Sequence, residues 1–288
     1  MTTHTGPTPE LGRPDSHHAG AAERWGQQLA DWKIPDLILA AAPQSPWIHP
    51  VELFRVADGQ AIESPSHMRA LQRLDSGASV LDVGCGGGRA AFAVAPPARA
   101  VIGVDHQQSM LDSFAAAAAD RGLEHHEVLG DWPEVAEQTP SADVVVCHHV
   151  AYNVAGLGPF VAQLHGHARR RVVLELPQRH PLAAMAPLWH RFWDLERPEG
   201  PTAADALTVI RELGHDAQIE EWDAGAGARP VSAVPLPRQV EFMRIRLCLT
   251  PDRDPEIAAA MAELPNTPRR MATIWWDVPG VSESEHRG

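Results

Sequence analysis

Seven short runs rich in β-forming residues alternate with segments of helical composition over most of the chain. Several of these runs are almost continuously apolar, which is typical of parallel strands covered by helices on both faces. The segments 107–121, 157–168 and 203–213 have the length of crossover helices. The alternation predicts an α/β fold with a doubly wound, mostly parallel seven-stranded sheet. The predicted strands are 79–84, 100–105, 125–131, 143–148, 171–177, 217–223 and 271–277.

The ends of the chain and two long interruptions lie outside this alternation. Residues 1–19 have no apolar periodicity and are predicted to form a disordered leader, and residues 281–288 a polar tail. Helical spacing of apolar residues predicts an N-terminal helical cap over 20–63. The side chains that share one face there are Trp25, Leu29 and Trp32. The main domain is then 64–280, and its long segments near 178–201 and 224–268 are predicted to form lids.

The first predicted strand, VLDVG, runs directly into glycines at positions 86–88 and then into a helical segment. Glycines there let the backbone turn sharply and approach a ligand at the positive end of a helix dipole. Asp105 ends the second strand about 20 residues further on, where a carboxylate can accept both ribose hydroxyls. Both features indicate a nucleotide-like cofactor. They do not decide which one, because the same glycines fit the looser dinucleotide fingerprint.

Asp131 ends the third predicted strand and is followed by Trp132. This ordered set of an acid before Gly-x-Gly-x-Gly, Asp105 and Asp131 resembles the class I S-adenosylmethionine (SAM)-dependent methyltransferases. The resemblance covers residues 65–280 in element order, with its motifs between 79 and 154. It implies that Asp131 accepts from the adenine amino group while Trp132 packs on the ring. The residues implied to bind SAM are Asp82, Gly84, Cys85, Gly86, Gly88, Asp105, His106, Asp131, Trp132 and His148.

The fourth predicted strand ends in His148-His149, at the place where the family's fourth strand runs beneath the methionine part of SAM. No Asn-Pro-Pro-Tyr type motif follows, which would have suggested methylation of a planar amide or base nitrogen. His149 and Tyr152 lie just beyond the strand end and are the candidate catalytic residues. A general base is required only if the acceptor holds a proton at attack. The two lids and the cap are predicted to enclose a small, partly apolar acceptor.

Charge, hydropathy and cysteine usage disfavour several partners and compartments. A formal net charge of −13 and a pI of about 5.6 supply no cationic cluster for a nucleic acid, so none is predicted. No segment approaches the roughly 20 apolar residues of a membrane span, and no membrane partner is predicted. Three widely spaced cysteines and the absence of an export signal predict a cytoplasmic protein. Adjacent histidines in a strand point to opposite faces, so no metal site is predicted.

Methyl transfer from SAM to a small acceptor by in-line displacement is the predicted function, and two alternatives stay open. The glycine loop and Asp105 also suit an NAD-dependent oxidoreductase, although Asp131-Trp132 and the terminal pair of strands count against it. A non-catalytic SAM-binding protein is the other alternative, since no acceptor-specific signature is recognisable. The acceptor and the oligomeric state are not determined by the sequence.

Overall fold

The computed structural model describes residues 20–46, 64–224, 235–265 and 269–279. The predicted leader 1–19 and tail 281–288 lie outside the described residues. So do 47–63 of the predicted cap and 225–234 and 266–268 of the second predicted lid. Among the described residues, no helix is both long enough and apolar enough to cross a membrane.

The described chain alternates helices and strands. The strands are β1 Ser79–Val83, β2 Ala100–Asp105, β3 Glu124–Leu129, β4 Ala142–His148, β5 Ala168–Pro177, β6 Gln218–Ala224 and β7 Arg269–Asp277. The helices are α1 Ala21–Ala30, α2 Asp36–Ala41, α3 Pro65–Leu71, α4 Arg89–Ala93, α5 Gln108–Asp120, α6 Leu157–His167, α7 Ala186–Trp193, α8 Ala203–Glu212, α9 Leu236–Arg246 and α10 Asp254–Glu263.

The seven strands form one sheet in the order β3-β2-β1-β4-β5-β7-β6. The first five strands are parallel, and β7 runs antiparallel between β5 and β6. The predicted doubly wound, mostly parallel sheet is therefore confirmed. Strand β5 begins at Ala168, three residues before the predicted start at 171. Its charged first residues stay in the sheet because Arg171, although buried, donates to Asp277 across from β7.

Two apolar layers cover the two faces of the sheet. Successive side chains of a strand point to opposite faces, so Leu81 of β1 packs in one layer and Val80 in the other. Helices α1, α6 and α8 supply the first layer, and α3, α4 and α5 supply the second. Ser64 caps α3 by accepting the backbone N–H of His67, as the Ser-Pro pair in the sequence predicts. These layers hold the carboxyl ends of the parallel strands at one edge.

A third apolar cluster is built away from the sheet by α2, α7, α9 and α10. Its buried members include Ile38, Trp189, Val240 and Ile257. The predicted N-terminal cap is thus divided in the structure. Helix α1 packs on the main domain through Trp25, whereas α2 joins the segments that follow β5 and β6. We call this third cluster the cap cluster.

A group of aromatic side chains lies next to Arg197, whose guanidinium is also 5.3 Å from the ring centroid of Trp189 in the cap cluster. The ring of Trp32 stacks on His180 with centroids 4.0 Å apart, and His180 meets the edge of Tyr152 at 5.4 Å. The indole N–H of Trp32 donates to the carbonyl of Gly200 at 2.6 Å. The guanidinium of Arg197 lies 5.0 Å from the Trp32 ring centroid and donates to the Trp32 carbonyl. His180 is therefore held between two rings beside a cation.

This environment predicts that His180 makes stability depend on pH. Burial, with the charge of Arg197, lowers the pKa of His180 from 6.5 to about 4. The folded state thus favours the neutral ring, and this contribution is present above pH 6.5 and lost as the pH falls through 4. His180→Phe keeps the ring and removes the titration. Between about pH 7 and pH 4.5, the unfolding free energy measured in urea should fall by roughly 1 to 2 kcal/mol more for the wild type than for the variant. This range allows for the partial exposure of the His180 side chain to solvent. Equal losses would contradict the assignment.

Candidate functional site

The loop between β1 and α4 carries three glycines with left-handed backbone: Gly84, Gly86 and Gly88 have φ values of 72°, 50° and 85°. A Cβ on Gly84 would lie 2.3 Å from Cγ2 of Val150, so the loop after β4 packs directly against this one. A Cβ on Gly86 would meet no atom within 4 Å. The backbone of Gly86 therefore faces open space, where a ligand can approach it closely.

Asp105, at the end of β2, ties this loop to its neighbouring strand. Its carboxylate accepts the backbone N–H of Gly86 and of Gln107, each at 2.9 Å. The side chain of His106 is exposed beside it, with Nδ1 3.7 Å from the carboxylate. A carboxylate has about four lone-pair positions, so capacity for ribose hydroxyls remains. The position of Asp105 fits the ribose role that the sequence predicts.

Asp82 and Cys85 support the loop from within the protein. The buried carboxylate of Asp82 accepts the N–H of Ala91 in the first turn of α4 at 3.1 Å. Burial raises the pKa of Asp82 to about 7, although the hydrogen bond from Ala91 opposes this. The thiol of Cys85 is buried against Gly103, where a Cβ would lie only 2.9 Å from the sulfur. The side chains of both residues face inward, so only their backbone is placed to meet a cofactor.

The predicted adenine pair lies just after β3. Asp131 is exposed, whereas Trp132 is buried, and its indole N–H donates to the carbonyl of Phe160 at 3.3 Å. The Trp132 ring also meets the edge of His167 at 4.9 Å. Trp132 is therefore part of the apolar layer on the α6 side of the sheet. The adenine contacts of both residues stay predictions.

A cluster that the sequence analysis missed lies where β4 and β5 end. Glu175 pairs in register with His148 and is buried. Its Oε1 lies 3.3 Å from Nε2 of His149 and 4.0 Å from Nδ1 of His148, and its Oε2 accepts the hydroxyl of Ser64 at 2.8 Å. The signal in the sequence was a single carboxylate inside the apolar run VVLELP. A buried charged group is usually paired with another polar or charged group, so a single glutamate in an apolar strand indicates a buried polar partner.

The carboxyl and imidazole groups of this cluster differ in their protonation. Burial opposes ionisation of Glu175, but the neighbouring imidazoles and the Ser64 hydroxyl outweigh it and lower the pKa of Glu175 below its ordinary value. Burial lowers the pKa of His148 to about 3, against the opposing effect of Glu175. Glu175 is therefore a carboxylate and His148 a neutral ring. The buried Nε2 of His148 has no hydrogen-bond partner among the described residues, a vacancy that a ligand can fill.

His149 is held in an uncommon conformation at the surface of this cluster. Its φ is 64°, a left-handed value that is rare outside glycine and clusters at functional sites. Its backbone N–H donates to the carbonyl of Glu175 at 2.7 Å, and its side chain is 39% exposed. The next residue, Val150, packs on Gly84, so the loop that carries His149 contacts the glycine loop.

Tyr152, the second catalytic candidate, is committed to other contacts. Its hydroxyl donates to the carbonyl of Pro177 at 2.9 Å, with Gln178 at 3.3 Å, and its ring stacks on Trp25. Burial raises the pKa of Tyr152 above its ordinary value, which makes ionisation harder. These contacts favour a structural role that joins the loop after β4 to the end of β5. The catalytic role of Tyr152 stays a prediction.

The structure thus brings the glycine loop, Asp105, His148 and His149 to one edge of the sheet, because the carboxyl ends of parallel strands meet there. The antiparallel β7 between β5 and β6 distinguishes the order 3-2-1-4-5-7-6 from the dinucleotide-binding order 3-2-1-4-5-6. This sheet order and the site at its carboxyl edge define the Rossmann-like architecture of a class I methyltransferase.

Comparisons with known proteins agree. Residues 80–170 match the family described as a methyltransferase domain. Nocamycin O-methyltransferase of Saccharothrix syringae is 39% identical over 95 residues, which cover 31% of this chain and 34% of that protein. Ubiquinone biosynthesis O-methyltransferase of Rickettsia felis is 29% identical over 104 residues, which cover 36% and 41%. The solved structure of YjhP from E. coli has a TM-score of 0.53 and 14% identity, and covers 79% of this chain and 97% of that one.

Residues 80–170 thus match the methyltransferase domain family, and the sheet has the class I SAM-dependent methyltransferase fold; SAM is the cofactor of this class. The recognition made from the glycine loop and the ordered acids is confirmed. The match spans only 34% and 41% of the length of the two O-methyltransferases.

Replacing glycine by alanine at two positions of the glycine loop should lower the unfolding free energy by different amounts. Gly84→Ala and Gly86→Ala both place an L-residue in left-handed backbone, at about 1 to 2 kcal/mol. Only Gly84→Ala also drives a methyl group into Val150, which adds about 1 to 3 kcal/mol of overpacking. Urea unfolding should therefore show a larger loss of unfolding free energy for Gly84→Ala. Equal losses would mean that Val150 does not pack on Gly84 as described.

Proposed function

We propose that this protein transfers a methyl group from SAM to a hydroxyl oxygen of a small, partly apolar acceptor, and that His149 takes the proton. The observation that carries this proposal is the exposed imidazole of His149, which lies 3.3 Å from the buried carboxylate of Glu175 and belongs to the loop that packs on Gly84. The two relatives named above are O-methyltransferases, which supports oxygen as the methylated atom.

The residues present fit SAM. The open space at Gly86 admits a ligand to the loop, and the unpartnered Nε2 of His148 offers a buried polar contact. In this proposal Asp105 holds the ribose, Asp131 and Trp132 hold the adenine, and His148 faces the methionine part. When bound, SAM supplies a methyl group made electrophilic by its positively charged sulfur.

In this proposal His149 is the general base that removes the proton from the acceptor hydroxyl. A neutral hydroxyl is a weak nucleophile, so a positioned base that takes its proton as the oxygen attacks lowers the barrier. The oxygen–methyl bond forms as the methyl–sulfur bond breaks, and the proton passes to the imidazole. Glu175 stabilises the imidazolium so formed. The rest of the protein aligns the acceptor and excludes water.

The acceptor is proposed to lie between the carboxyl edge of the sheet and the cap cluster. Helix α7 follows β5, and α9 and α10 follow β6, so the cap is built from segments that leave this edge. In open α/β sheets ligands bind outside the carboxyl ends of the strands. The apolar composition of the cap cluster favours a partly apolar acceptor, and the net charge of −13 disfavours a nucleic acid.

Thermal unfolding tests the cofactor without knowledge of the acceptor. A ligand at about one hundred times its Kd stabilises the native state by about 2.7 kcal/mol. Saturating SAM should therefore raise Tm by roughly 5 to 10 °C, and NAD at the same concentration should not. Stabilisation by NAD and not by SAM would replace this proposal with the oxidoreductase alternative.

Two matched glycine variants localise the cofactor in this test. Gly86 and Gly122 both have positive φ, and a Cβ on either would meet no atom within 4 Å. Gly86→Ala and Gly122→Ala should thus cost similar stability. Only Gly86→Ala should reduce the shift that SAM produces, because Gly122 lies in the turn after α5. An equal response of the two variants to SAM would contradict the placement of SAM at the glycine loop.

Methyl transfer itself is tested with SAM labelled in its methyl group and an extract of small metabolites. Label should pass from SAM to a product that is extracted into an organic solvent. His149→Gln should slow this transfer by roughly 100- to 10,000-fold and leave the increase in Tm with SAM unchanged. His125→Gln is a matched control, since His125 also contacts a glutamate, Glu127 at 2.7 Å, but lies at the start of β3. Unimpaired transfer by His149→Gln would refute the base. No transfer despite SAM binding would favour a non-catalytic SAM-binding protein.

A further inference from the structure

We infer that Ser64 is a positioning residue, which acts through Glu175 to keep the proton of neutral His149 on Nε2 and to leave Nδ1 as the basic atom. This inference rests on the proposed function of His149. It concerns a residue from helix α3, outside the region 80–170 that matches the methyltransferase family.

The three residues form a continuous chain of polar contacts from three parts of the fold. The hydroxyl of Ser64, at the N-cap of α3, donates to Oε2 of Glu175 at 2.8 Å. The other carboxylate oxygen, Oε1, lies 3.3 Å from Nε2 of His149. Ser64 and Glu175 are both buried, so water does not compete for these contacts. Such an arrangement of a base oriented by a third group is the logic of catalytic triads.

The chemistry of a carboxylate decides the tautomer. A neutral imidazole has one nitrogen that donates and one that accepts, and an ionised carboxylate only accepts. The nitrogen near Glu175 must therefore carry the proton, and the opposite nitrogen is the acceptor. The backbone of His149 is fixed as well, since its N–H donates to the carbonyl of Glu175. Nδ1 is thus the atom available to an acceptor hydroxyl.

Ser64 is needed because Glu175 has more than one imidazole neighbour. His148 approaches Oε1 to 4.0 Å from β4, and His67 of α3 stacks on His148 at 5.6 Å. Arg89 of α4 adds a positive charge that acts on His148. At 4.0 Å, Nδ1 of His148 is beyond hydrogen-bond distance and does not fix the orientation of the carboxylate. By holding Oε2, Ser64 fixes the rotation of the carboxylate and keeps Oε1 directed at His149.

The variants separate this role from helix capping. Ser64 also accepts the N–H of His67 at 3.4 Å, and so caps α3. Glycine is tolerated at the N-cap nearly as well as serine but has no hydroxyl. Ser64→Gly therefore removes the contact with Glu175 while retaining most of the cap, and Ser64→Thr keeps both. Ser66→Ala is the matched control, because the hydroxyl of Ser66 is equally buried in α3 but pairs with Thr273 at 2.6 Å.

The test is ¹⁵N NMR spectroscopy of the full-length protein labelled with ¹⁵N-histidine, in alkaline buffer where imidazoles are neutral. The chemical shifts of the two imidazole nitrogens report which one carries the proton. The His149 signals are assigned by their loss in His149→Gln. Wild type, Ser64→Thr and Ser66→Ala should show Nε2 protonated and Nδ1 unprotonated. Ser64→Gly should show a mixture of both tautomers. The opposite tautomer in the wild type, or an unchanged tautomer in Ser64→Gly, would overturn the inference.

A kinetic measurement on the same variants gives a second readout. With SAM labelled in its methyl group and the metabolite extract, Ser64→Gly should transfer label roughly 10- to 100-fold more slowly, as expected for a misplaced base. Its thermal shift with SAM should equal that of the wild type, and Ser64→Thr should restore the rate. A full rate in Ser64→Gly would count against the inference. The resonance experiment needs no acceptor, so failure of methyl transfer in the wild type would overturn the proposed function while the tautomer result still stood.

Discussion

The hydrogen bond from the N–H of Gly86 to the carboxylate of Asp105 links the loop after β1 to the end of β2. The left-handed turn at Gly86 presents its N–H to this carboxylate, and the turns at Gly84 and Gly88 lead into α4. The loop after β4 packs on Gly84, so the position of His149 depends on the same turn. Cofactor site and candidate base are therefore parts of one packed unit at the carboxyl edge of the sheet.

Two buried carboxyl groups near this edge have opposite pKa shifts because their surroundings differ. Asp82 has the N–H of Ala91 as its hydrogen-bond donor, and burial dominates, so its pKa rises to about 7. Glu175 has a hydroxyl and two imidazoles around it, and its pKa falls below the ordinary value. The first carboxyl can lose its charge at little cost and serves to hold α4. The second stays ionised, which is what a group that orients and stabilises an imidazolium must do.

The cap cluster has an apolar core of its own, separate from the two layers on the sheet. All four of its helices lie outside residues 80–170, where the similarity to known methyltransferases is found. Under the proposed function, the sheet binds the methyl donor and the cap cluster selects the acceptor, since binding residues are often carried by segments that a rigid scaffold positions. Arg197 contacts both parts, since its guanidinium lies 5.3 Å from the ring centroid of Trp189 in the cap cluster and 5.0 Å from that of Trp32, which stacks on His180.

The sequence by itself determined the seven strands, most helix positions and the glycine loop, because strand periodicity and the left-handed turns of glycine are local properties. Tertiary structure decided which distant residues meet. Ser64 and Glu175 are 111 positions apart, and only the packing of α3 on β5 joins them. Tyr152 resembled a catalytic residue in the sequence, yet its hydroxyl is bound by a carbonyl at the end of β5. The sheet order causes the second outcome, since it places the ends of β4 and β5 side by side and no local pattern records that neighbour.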